Sequence, residues 1–270
     1  MNNLKDNHSH NHKYKLSVGA LFKNEAHCLK EWIEHYRFHM VSHFYLIDDS
    51  STDNSLEVLE PYIKMRLVTI FNGNNWPYYI GRQKDMYNNF IFPLIYETKW
   101  LLMCDLDEFM WSQESLHLTY ILDQCECYGQ IQVDNTIFGS NGYIYQPKSL
   151  VSSFTKRSSR PTIVNGLENR KYFINTSYKF TSLNIHHATF EDKNDEKNNF
   201  LLLNAPYFIL NHYSCQSFEF WKNVKCTRGD GDNYRVRTDE DFKLLDINEI
   251  TDTNLFEQNK GVCFQINGHF

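Results

Sequence analysis

The feature that most constrains the fold is an alternation, in the N-terminal part of the chain, between short apolar runs and segments with helical periodicity. Apolar runs occupy 15–22, 43–47 and 66–72, and between the first two the apolar side chains of 26–40 recur every three or four residues. A further run, WLLMC, covers 100–104. Strands that alternate with helices form a mostly parallel sheet with helices on both faces. The sequence therefore predicts an α/β fold.

Three helices are predicted between these strands. The first covers 26–40, and its apolar face consists of Leu29, Trp32, Ile33, Tyr36 and Met40. The second is SLEVLEPYI, which follows a cluster of capping residues, and the third is GRQKDMYNNFIFPLIY at 81–96. Together with the apolar runs they give the order strand, helix, strand, helix, strand, helix, strand.

The regular pattern weakens beyond about residue 114. Residues 130–151 read as strands joined by a glycine-rich turn, and 155–199 are polar and irregular. No domain boundary is visible, so we predict one domain over 14–270. The preceding residues, 1–13, are polar and rich in histidine, and we predict a solvated tail there.

The composition narrows the class of protein. Apolar residues make up 41% of the chain, which is too many for a disordered protein. The formal net charge is −6, so binding to nucleic acid through a basic face is excluded. The seven cysteines lack the short paired spacings of a zinc site, and no apolar run is long enough for a secretion signal or a membrane span. We therefore expect a soluble cytoplasmic protein.

Polar clusters follow three of the predicted strands, where ligands collect in parallel sheets. In DLDEF, Asp105 and Asp107 are two positions apart on an extended segment, so both carboxylates can reach one divalent cation such as Mg²⁺ or Mn²⁺. Such a cation usually shares its remaining coordination sites with substrate phosphates. The alternative is an acidic turn in which these carboxylates only cap the backbone.

The other two clusters, KNEA and DDSSTD, end the first and second strands. They bring carboxylates, amides and hydroxyls to the same rim, which suits hydrogen bonds to a base and a ribose: Asn24, Glu25, Asp48, Asp49, Ser50 and Asp53. The competing interpretation is that Ser51 and Asp53 only cap the next helix.

Residues 222–237 form a local basic cluster in an acidic protein. It holds Lys222, Lys225, Arg228, Arg235 and Arg237 against two acidic residues. Such cations can bind a diphosphate and stabilise the charge that grows on a leaving group. A solvated basic helix end is the alternative.

Several segments in fixed order resemble glycosyltransferase family 92 and the related glycosyltransferase family 2. They are LFKNEAHCLKEWIEHYRFHMVSHFYLIDDSSTDNS, WLLMCDLDEFMW, IFGSNGY and LNHYSCQSFEFWKNVKCTRG, which together extend over most of the chain. The resemblance implies a single Rossmann-like GT-A domain. It also implies sugar transfer with inversion from a nucleotide sugar, commonly a UDP-sugar, to a hydroxyl of a glycan.

The resemblance implies a divalent metal as well, usually Mn²⁺, with Mg²⁺ as the alternative. Asp105 and Asp107 match the family's DxD motif, and His212 in LNHY matches a histidine that completes the metal shell. His186 and His187 are rivals for that third position. Residues 14–113 would bind the nucleotide and 114–270 would face the acceptor, with FGSNG as an acceptor loop.

Taken together, the strand ends, the basic cluster and the resemblance give one set of predicted nucleotide contacts: Lys23, Asn24, Glu25, Asp48, Asp49, Ser50, Arg82, Gln83, Asp105, Lys225 and Arg228. Arg82 and Gln83 enter it only through the resemblance. The chain departs from the family at Gln216, where relatives often carry a lysine.

An inverting transfer needs a group that takes the proton of the attacking hydroxyl. The spacing does not choose between five candidates: Asp134, Glu191, Glu219, Asp230 and Asp232. The glycines around Asp230 and Asp232 favour these two, because they let the backbone approach a ligand, and Asp134 near the acceptor loop is their rival. Two other functions stay open: a nucleotidyltransferase or phosphohydrolase, which would also use paired carboxylates, and a GT-A scaffold that binds carbohydrate or a partner protein without catalysis.

Overall fold

A computed structural model describes residues 11–159, 170–228, 231–232 and 236–262, together with the backbone of 163–164 and 167–168. Most of the predicted tail, and Asp230 and Arg235 of the basic cluster, lie outside the described residues.

The strands are short and are distributed along the whole described chain. They are β1 Tyr14–Phe22, β2 His43–Asp48, β3 Val68–Asn72, β4 Thr98–Met103, β5 Glu108–Trp111, β6 Gln130–Ile137, β7 Lys156–Arg157, β8 Ile163–Val164, β9 Leu167–Glu168, β10 Arg170–Asn175, β11 Phe180–Leu183, β12 Ala188–Phe190, β13 Phe200–Leu202, β14 Ile209–His212 and β15 Ile250–Thr251.

The helices are mostly short as well. They are α1 Ala26–Phe38, α2 Ser55–Lys64, α3 Arg82–Met86, α4 Leu118–Gln124, α5 Leu150–Ser153, α6 Lys193–Asn198, α7 Phe218–Phe220, α8 Asp239–Leu245 and α9 Asn254–Gln258. Two π-helical turns, Tyr87–Ile91 and Trp221–Lys225, and one 3₁₀ helix, Phe92–Glu97, complete the helical segments of the described residues.

Nine of the described strands form one sheet, in the order β3-β2-β1-β4-β10-β6-β14-β5, with β13 paired to β6. The pairs among β1, β2, β3 and β4 are parallel, as are those of β6 with β13 and β14. Only the pairs β4–β10, β10–β6 and β14–β5 are antiparallel. The predicted α/β fold with a mostly parallel sheet is confirmed.

Helix α1 shows how the apolar periodicity becomes packing. Leu29, Trp32, Ile33 and Tyr36 are fully buried in the larger hydrophobic core, and each such burial stabilises the fold by about 1.5–3 kcal/mol. Met40 was predicted on the same face, but it lies beyond the end of the helix and is exposed. Its φ of 71° turns the chain out of the helix before β2 begins.

The predicted third helix at 81–96 is interrupted. An α-helix covers only Arg82–Met86, and a π-helical turn and a 3₁₀ helix follow. Pro93 has no amide hydrogen, so a regular α-helix through it would leave a carbonyl without its partner. The chain changes its helical geometry at that point instead.

Strand β10 was not predicted, since it lies inside the segment that looked irregular. It occupies the centre of the sheet, antiparallel to both β4 and β6. Because β4 ends at the rim where β10 begins, Lys171 reaches the carboxylates that follow β4, whereas Arg170 pairs with Asp134 on β6. Within the described residues, no helix is long and apolar enough to cross a bilayer.

Candidate active site

A cavity of about 430 Å³ opens at the carboxyl ends of the parallel strands. Its walls come from residues before and after position 114, where the regular alternation of strands and helices weakens. Lys23, Asp49, Asp105 and Asp107 follow β1, β2 and β4, while Lys171 and His212 lie on β10 and β14. The strand ends therefore meet where the polar clusters predicted a ligand site.

The turn that carries the acidic motif is held in place by the side chain of Glu108 and by helix α1. The Glu108 carboxylate accepts a hydrogen bond from the Asp105 amide at 2.9 Å. The Trp32 indole donates to the carbonyls of Asp105 and Glu108 at 2.9 and 3.0 Å, and Tyr36 donates to the Glu108 carbonyl at 3.1 Å. Buried aromatic side chains of the first helix thus fix the position of the motif.

Lys171 pairs with two carboxylates of this turn. Its Nζ lies 2.6 Å from Asp105 Oδ2 and 3.5 Å from Glu108 Oε2, and only 4% of the lysine side chain is exposed. Burial alone would lower the pKa of Lys171, but Asp105 and Glu108 raise it well above its ordinary value. The side chain is therefore a permanent cation in the wall of the cavity.

Asp107 lies between a second lysine and the predicted histidine. Lys225 Nζ is 3.1 Å from Asp107 Oδ2, and His212 Nε2 is 3.5 Å from Asp107 Oδ1. Burial would raise the pKa of Asp107, but Lys225 and His212 hold it well below its ordinary range. Asp107 is therefore ionised at neutral pH.

His212 is fixed from behind by Asn135. Strands β6 and β14 run parallel, and the Asn135 amide nitrogen lies 3.1 Å from His212 Nδ1. Asn135 Oδ1 is buried and has no hydrogen-bond partner among the described residues. The other ring nitrogen of His212 therefore faces Asp107 and the cavity.

The donor set of Asp107 and His212 fits a hard divalent cation. Two ligands on one octahedral ion lie about 3 Å apart, close to the 3.5 Å between Asp107 Oδ1 and His212 Nε2. Asp105 keeps one oxygen for Lys171, so its other oxygen or a water would have to complete the contact.

A different group brings three possible ligand atoms within 4.8 Å of one another, namely Glu25, His27 and Cys28. Burial raises the pKa of the Cys28 thiol well above its ordinary value, so it stays protonated, and a thiol binds metals as the thiolate. Glu25 is also engaged, at 2.5 Å from Arg228. This group is a poor metal site.

The predicted nucleotide contacts separate into two sets. The members that line the cavity are Lys23, Glu25, Asp49, Gln83, Asp105, Lys225 and Arg228. The members that do not are Asn24, Asp48, Ser50 and Arg82.

The residues behind the cavity tie its wall together. Arg82 is buried and forms a bidentate pair with Asp49 at 2.7 and 2.8 Å, stacks on the Tyr78 ring at 4.4 Å, and donates to the Gly231 carbonyl at 3.1 Å. The Asn24 side chain accepts a hydrogen bond from the Thr52 amide at 2.7 Å, which joins the first two strand ends.

The capping interpretation of DDSSTD also has a structural counterpart. The Asp53 carboxylate accepts hydrogen bonds from the amides of Ser55, where α2 begins, and Ala26, where α1 begins. Ser51 accepts a hydrogen bond from the Asn24 amide. These two side chains hold the strand-end loops together and do not line the cavity.

The candidate bases lie in different surroundings. Asp134 is outside the cavity lining and is bound by Arg170 at 2.6 Å and Asn204 at 2.7 Å. Asp232 lines the cavity, and its Oδ1 is buried without a partner among the described residues. Asp230 lies outside the described residues, and Glu191 and Glu219 do not line the cavity.

The FGSNG loop lies away from the cavity lining. Its amides at Ser140 and Asn141 donate to Asp246 and Asn248 at 2.6 and 2.9 Å, which ties the loop to the segment after α8.

Lys171, Asn135 and His186 line the cavity. The first two were not predicted, and a lone lysine or asparagine inside a strand carries no local signal. His186 was considered only as a metal ligand.

A family model and a curated relative both match the chain, and they name the same family. The family model of glycosyltransferase family 92 matches residues 12–250. A glycosyltransferase family 92 protein from Ricinus communis is 25% identical over 226 residues, which is 78% of this chain. The match covers 36% of that relative, so the chain spans about a third of its length.

Among solved structures, the chain is similar to S. aureus TarS. The structure of TarS residues 1–349 gives a TM-score of 0.41 at 12% identity, covering 77% of this chain and 62% of TarS 1–349. The same fragment in complex with UDP gives a TM-score of 0.42 at 14% identity, with the same coverage.

Proposed function

Because the chain belongs to glycosyltransferase family 92, we propose that it transfers a sugar from a nucleotide-sugar donor to a hydroxyl of a glycan. The sheet order and the family agree with the GT-A fold that the sequence motifs implied. A UDP-sugar is the proposed donor, and inversion at the anomeric carbon is the proposed outcome.

The observation that carries the proposal is the pairing of acidic and basic side chains around one cavity. Asp105 pairs with Lys171 and Asp107 pairs with Lys225, and Arg228, which pairs with Glu25, lines the same cavity. Cations at this distance can take over the charge of a diphosphate leaving group, which is where glycosyl transfer needs stabilisation. A plain acidic turn would not have two buried or half-buried lysines paired with its carboxylates.

We propose that Asp107 and His212, with Asp105, hold Mn²⁺ or Mg²⁺ when the donor binds. The ion would supply Lewis-acid neutralisation of the diphosphate. Lys225 Nζ lies 3.1 Å from Asp107 Oδ2. When Asp107 binds the ion, Lys225 would give up this contact and would pair with the phosphate oxygens.

The nucleoside would lie between the ends of β1 and β2. Lys23, Glu25, Asp49 and Gln83 line that side of the cavity, and the Tyr78 ring is next to them. Asn24, Asp48, Ser50 and Arg82 would then act by holding the strand ends, because they do not line the cavity. Asp232 is the predicted carboxylate base that faces the cavity, and Asp230 stays a candidate from the sequence.

Nucleotide binding tests the proposal directly. UDP, GDP and CMP are titrated by calorimetry and thermal shift, with Mn²⁺ or with EDTA. UDP with Mn²⁺ at about 100 times Kd is expected to raise Tm by about 5–10 °C. Asp107→Ala and Asp107→Asn should lose the Mn²⁺-dependent part, whereas Asp123→Ala, at an exposed ion pair with Lys15, should keep it.

The outcomes separate the parts of the proposal. Nucleotide binding that is equal in EDTA would reject the metal but keep the donor. No nucleotide binding under any condition would overturn sugar transfer and favour the non-catalytic scaffold. The domain limits, 14–270 with halves 14–113 and 114–270, and the cytoplasmic location stay predictions.

A further inference from the structure

His186 lies at the mouth of the cavity on the hairpin that joins β11 to β12. Strands behind it hold this hairpin tip. Gln132 on β6 donates to the His186 carbonyl at 2.8 Å, and the Tyr172 hydroxyl on β10 donates to the Asn184 carbonyl at 2.6 Å. The backbone of the tip is therefore fixed, and the exposed imidazole is reachable from solvent.

One hydrogen bond determines which ring nitrogen of His186 carries the proton. Nδ1 lies 2.9 Å from the Arg170 carbonyl oxygen. A carbonyl oxygen only accepts, so Nδ1 must donate, and in the neutral ring Nε2 then holds a lone pair. We find no partner for Nε2 among the described residues. The ring is thus arranged as a proton acceptor.

The charges around the imidazole favour its neutral form. The partial burial of the ring against the cavity wall lowers the pKa of His186, and the nearby Lys171 and His187 lower it further, against the opposite effects of the hydrogen bond to the Arg170 carbonyl and of Asp105. These groups come from β10, from the hairpin itself and from the turn after β4. A neutral imidazole at physiological pH is the form that can take a proton.

The position along the sheet separates His186 from the carboxylate rival. Gly231, next to Asp232, accepts a hydrogen bond from Arg82, and a Cβ at Gly231 would lie 3.0 Å from Gln83 and 3.3 Å from Leu21. Asp232 therefore belongs to the end of the cavity formed by β1 and α3, which is the proposed nucleoside side. His186 lies on the other side of β4, next to β10.

We propose that His186 is the catalytic base that takes the proton from the acceptor hydroxyl. This inference rests on the proposed glycosyl transfer. The hydroxyl oxygen forms the new bond to the anomeric carbon, while the bond from that carbon to the diphosphate breaks with its electron pair on the leaving oxygen. The hydroxyl proton moves to Nε2, and the resulting imidazolium releases it to solvent after the product leaves.

The first measurement is the protonation state of the ring. Long-range ¹H–¹⁵N spectra of protein labelled at histidine are recorded at pH 7.5, and the His186 signals are identified by their loss in His186→Gln. We expect a neutral ring with the proton on Nδ1. A charged ring, or a proton on Nε2, would overturn the proposal, and this readout needs no substrate.

The second measurement is turnover. UDP-glucose, UDP-galactose and UDP-N-acetylglucosamine are supplied with Mn²⁺, and released UDP is followed with water or added oligosaccharides as the acceptor. His186→Gln should reduce kcat about 10²–10⁴-fold, with donor KM and UDP Kd changed less than twofold. His117→Gln, at an exposed histidine outside the cavity lining, serves as the control and should match the wild type.

The result also distinguishes this inference from the proposed function. If His186→Gln keeps its kcat while Asp232→Asn loses it, the base is the carboxylate and sugar transfer stands. If the wild type binds no nucleotide and releases no UDP, the proposed function fails and His186 has no hydroxyl to deprotonate. A fall in UDP affinity in His186→Gln would assign the residue to binding and overturn the role of base.

Discussion

The two parts of the chain on either side of residue 114 differ in regularity and in charge at the site. The first part forms the parallel strands β1 to β4 and supplies acidic side chains to the cavity, among them Asp105, Asp107 and Glu108. The second part forms the antiparallel β10 and the strands beside it, and supplies Lys171 and Lys225. Neither part has a balanced site by itself.

This difference teaches that the site is completed by contacts between residues far apart in sequence. Lys171 is 66 residues from Asp105, and Lys225 is 118 residues from Asp107. The alternation of strands and helices places the carboxylates at one rim of the sheet. The cations reach them only when the second part of the chain packs against the first.

The largest expected effect comes from breaking a buried ion pair of the first part, and a partly solvated pair of the second part serves as its comparison. Arg82→Met leaves Asp49 buried without its partner, and we expect the free energy of unfolding to fall by about 3–5 kcal/mol. Arg157→Met breaks a pair with Asp252 that is partly solvated, with an expected loss of about 1 kcal/mol. Urea unfolding with double-mutant cycles measures both, and equal losses would contradict the distinction.

A smaller effect is expected at Glu31, which joins the two parts. Its buried carboxylate accepts hydrogen bonds from Ser149 and from the amides of Leu150 and Val151. Burial raises the pKa of Glu31 from 4.5 to about 7. Between these two pH values, the carboxyl group of Glu31 is protonated in the folded protein and ionised in the unfolded chain.

The sign of the pH dependence follows from that shift. The stabilisation from this proton is complete below pH 4.5 and is lost as the pH rises through 7, by on the order of 3 kcal/mol. Glu31→Gln should remove this part of the pH dependence. Unfolding free energies of both proteins between pH 4.5 and 8 measure it, and parallel curves would show that Glu31 does not titrate there.

The smallest effects are expected at exposed ion pairs, whichever part holds them. Lys64→Ala breaks a pair with Glu60 in the first part, and Lys179→Ala breaks a pair with Glu191 in the second. All four side chains are more than half exposed, so each change should alter the unfolding free energy by less than about 0.5 kcal/mol. A larger loss in one part only would mean that the two parts differ in more than the burial of their charges.

The sequence predicted the first part well because its signals are local. Each strand from β1 to β4 is an apolar run, three of these runs end in a polar cluster, and helix α1 carries a clear apolar face. The third helix was the exception, since the geometric effect of Pro93 does not appear in the apolar periodicity.

The second part was harder because its central strand depends on distant partners. Strand β10 is short and lies in a polar segment, and only pairing with β4 and β6 makes it extended and buried. For the site, ligand chemistry pointed to Asp105 and Asp107 and the family resemblance pointed to His212, and all three line one cavity. Lys171 was missed because a single lysine in KYFIN gives no indication that it is buried beside two carboxylates.

The contacts of Lys171 with both Asp105 and Glu108 restrict how the chain can change over generations. Replacing the lysine alone leaves two neighbouring carboxylates without their shared cation, and replacing the carboxylates alone leaves a buried ammonium. A lineage can therefore alter these positions only together, or through an intermediate that folds poorly. In an alignment of relatives, the three positions should covary, so that a chain lacking the lysine also carries a neutral side chain at Asp105 or Glu108.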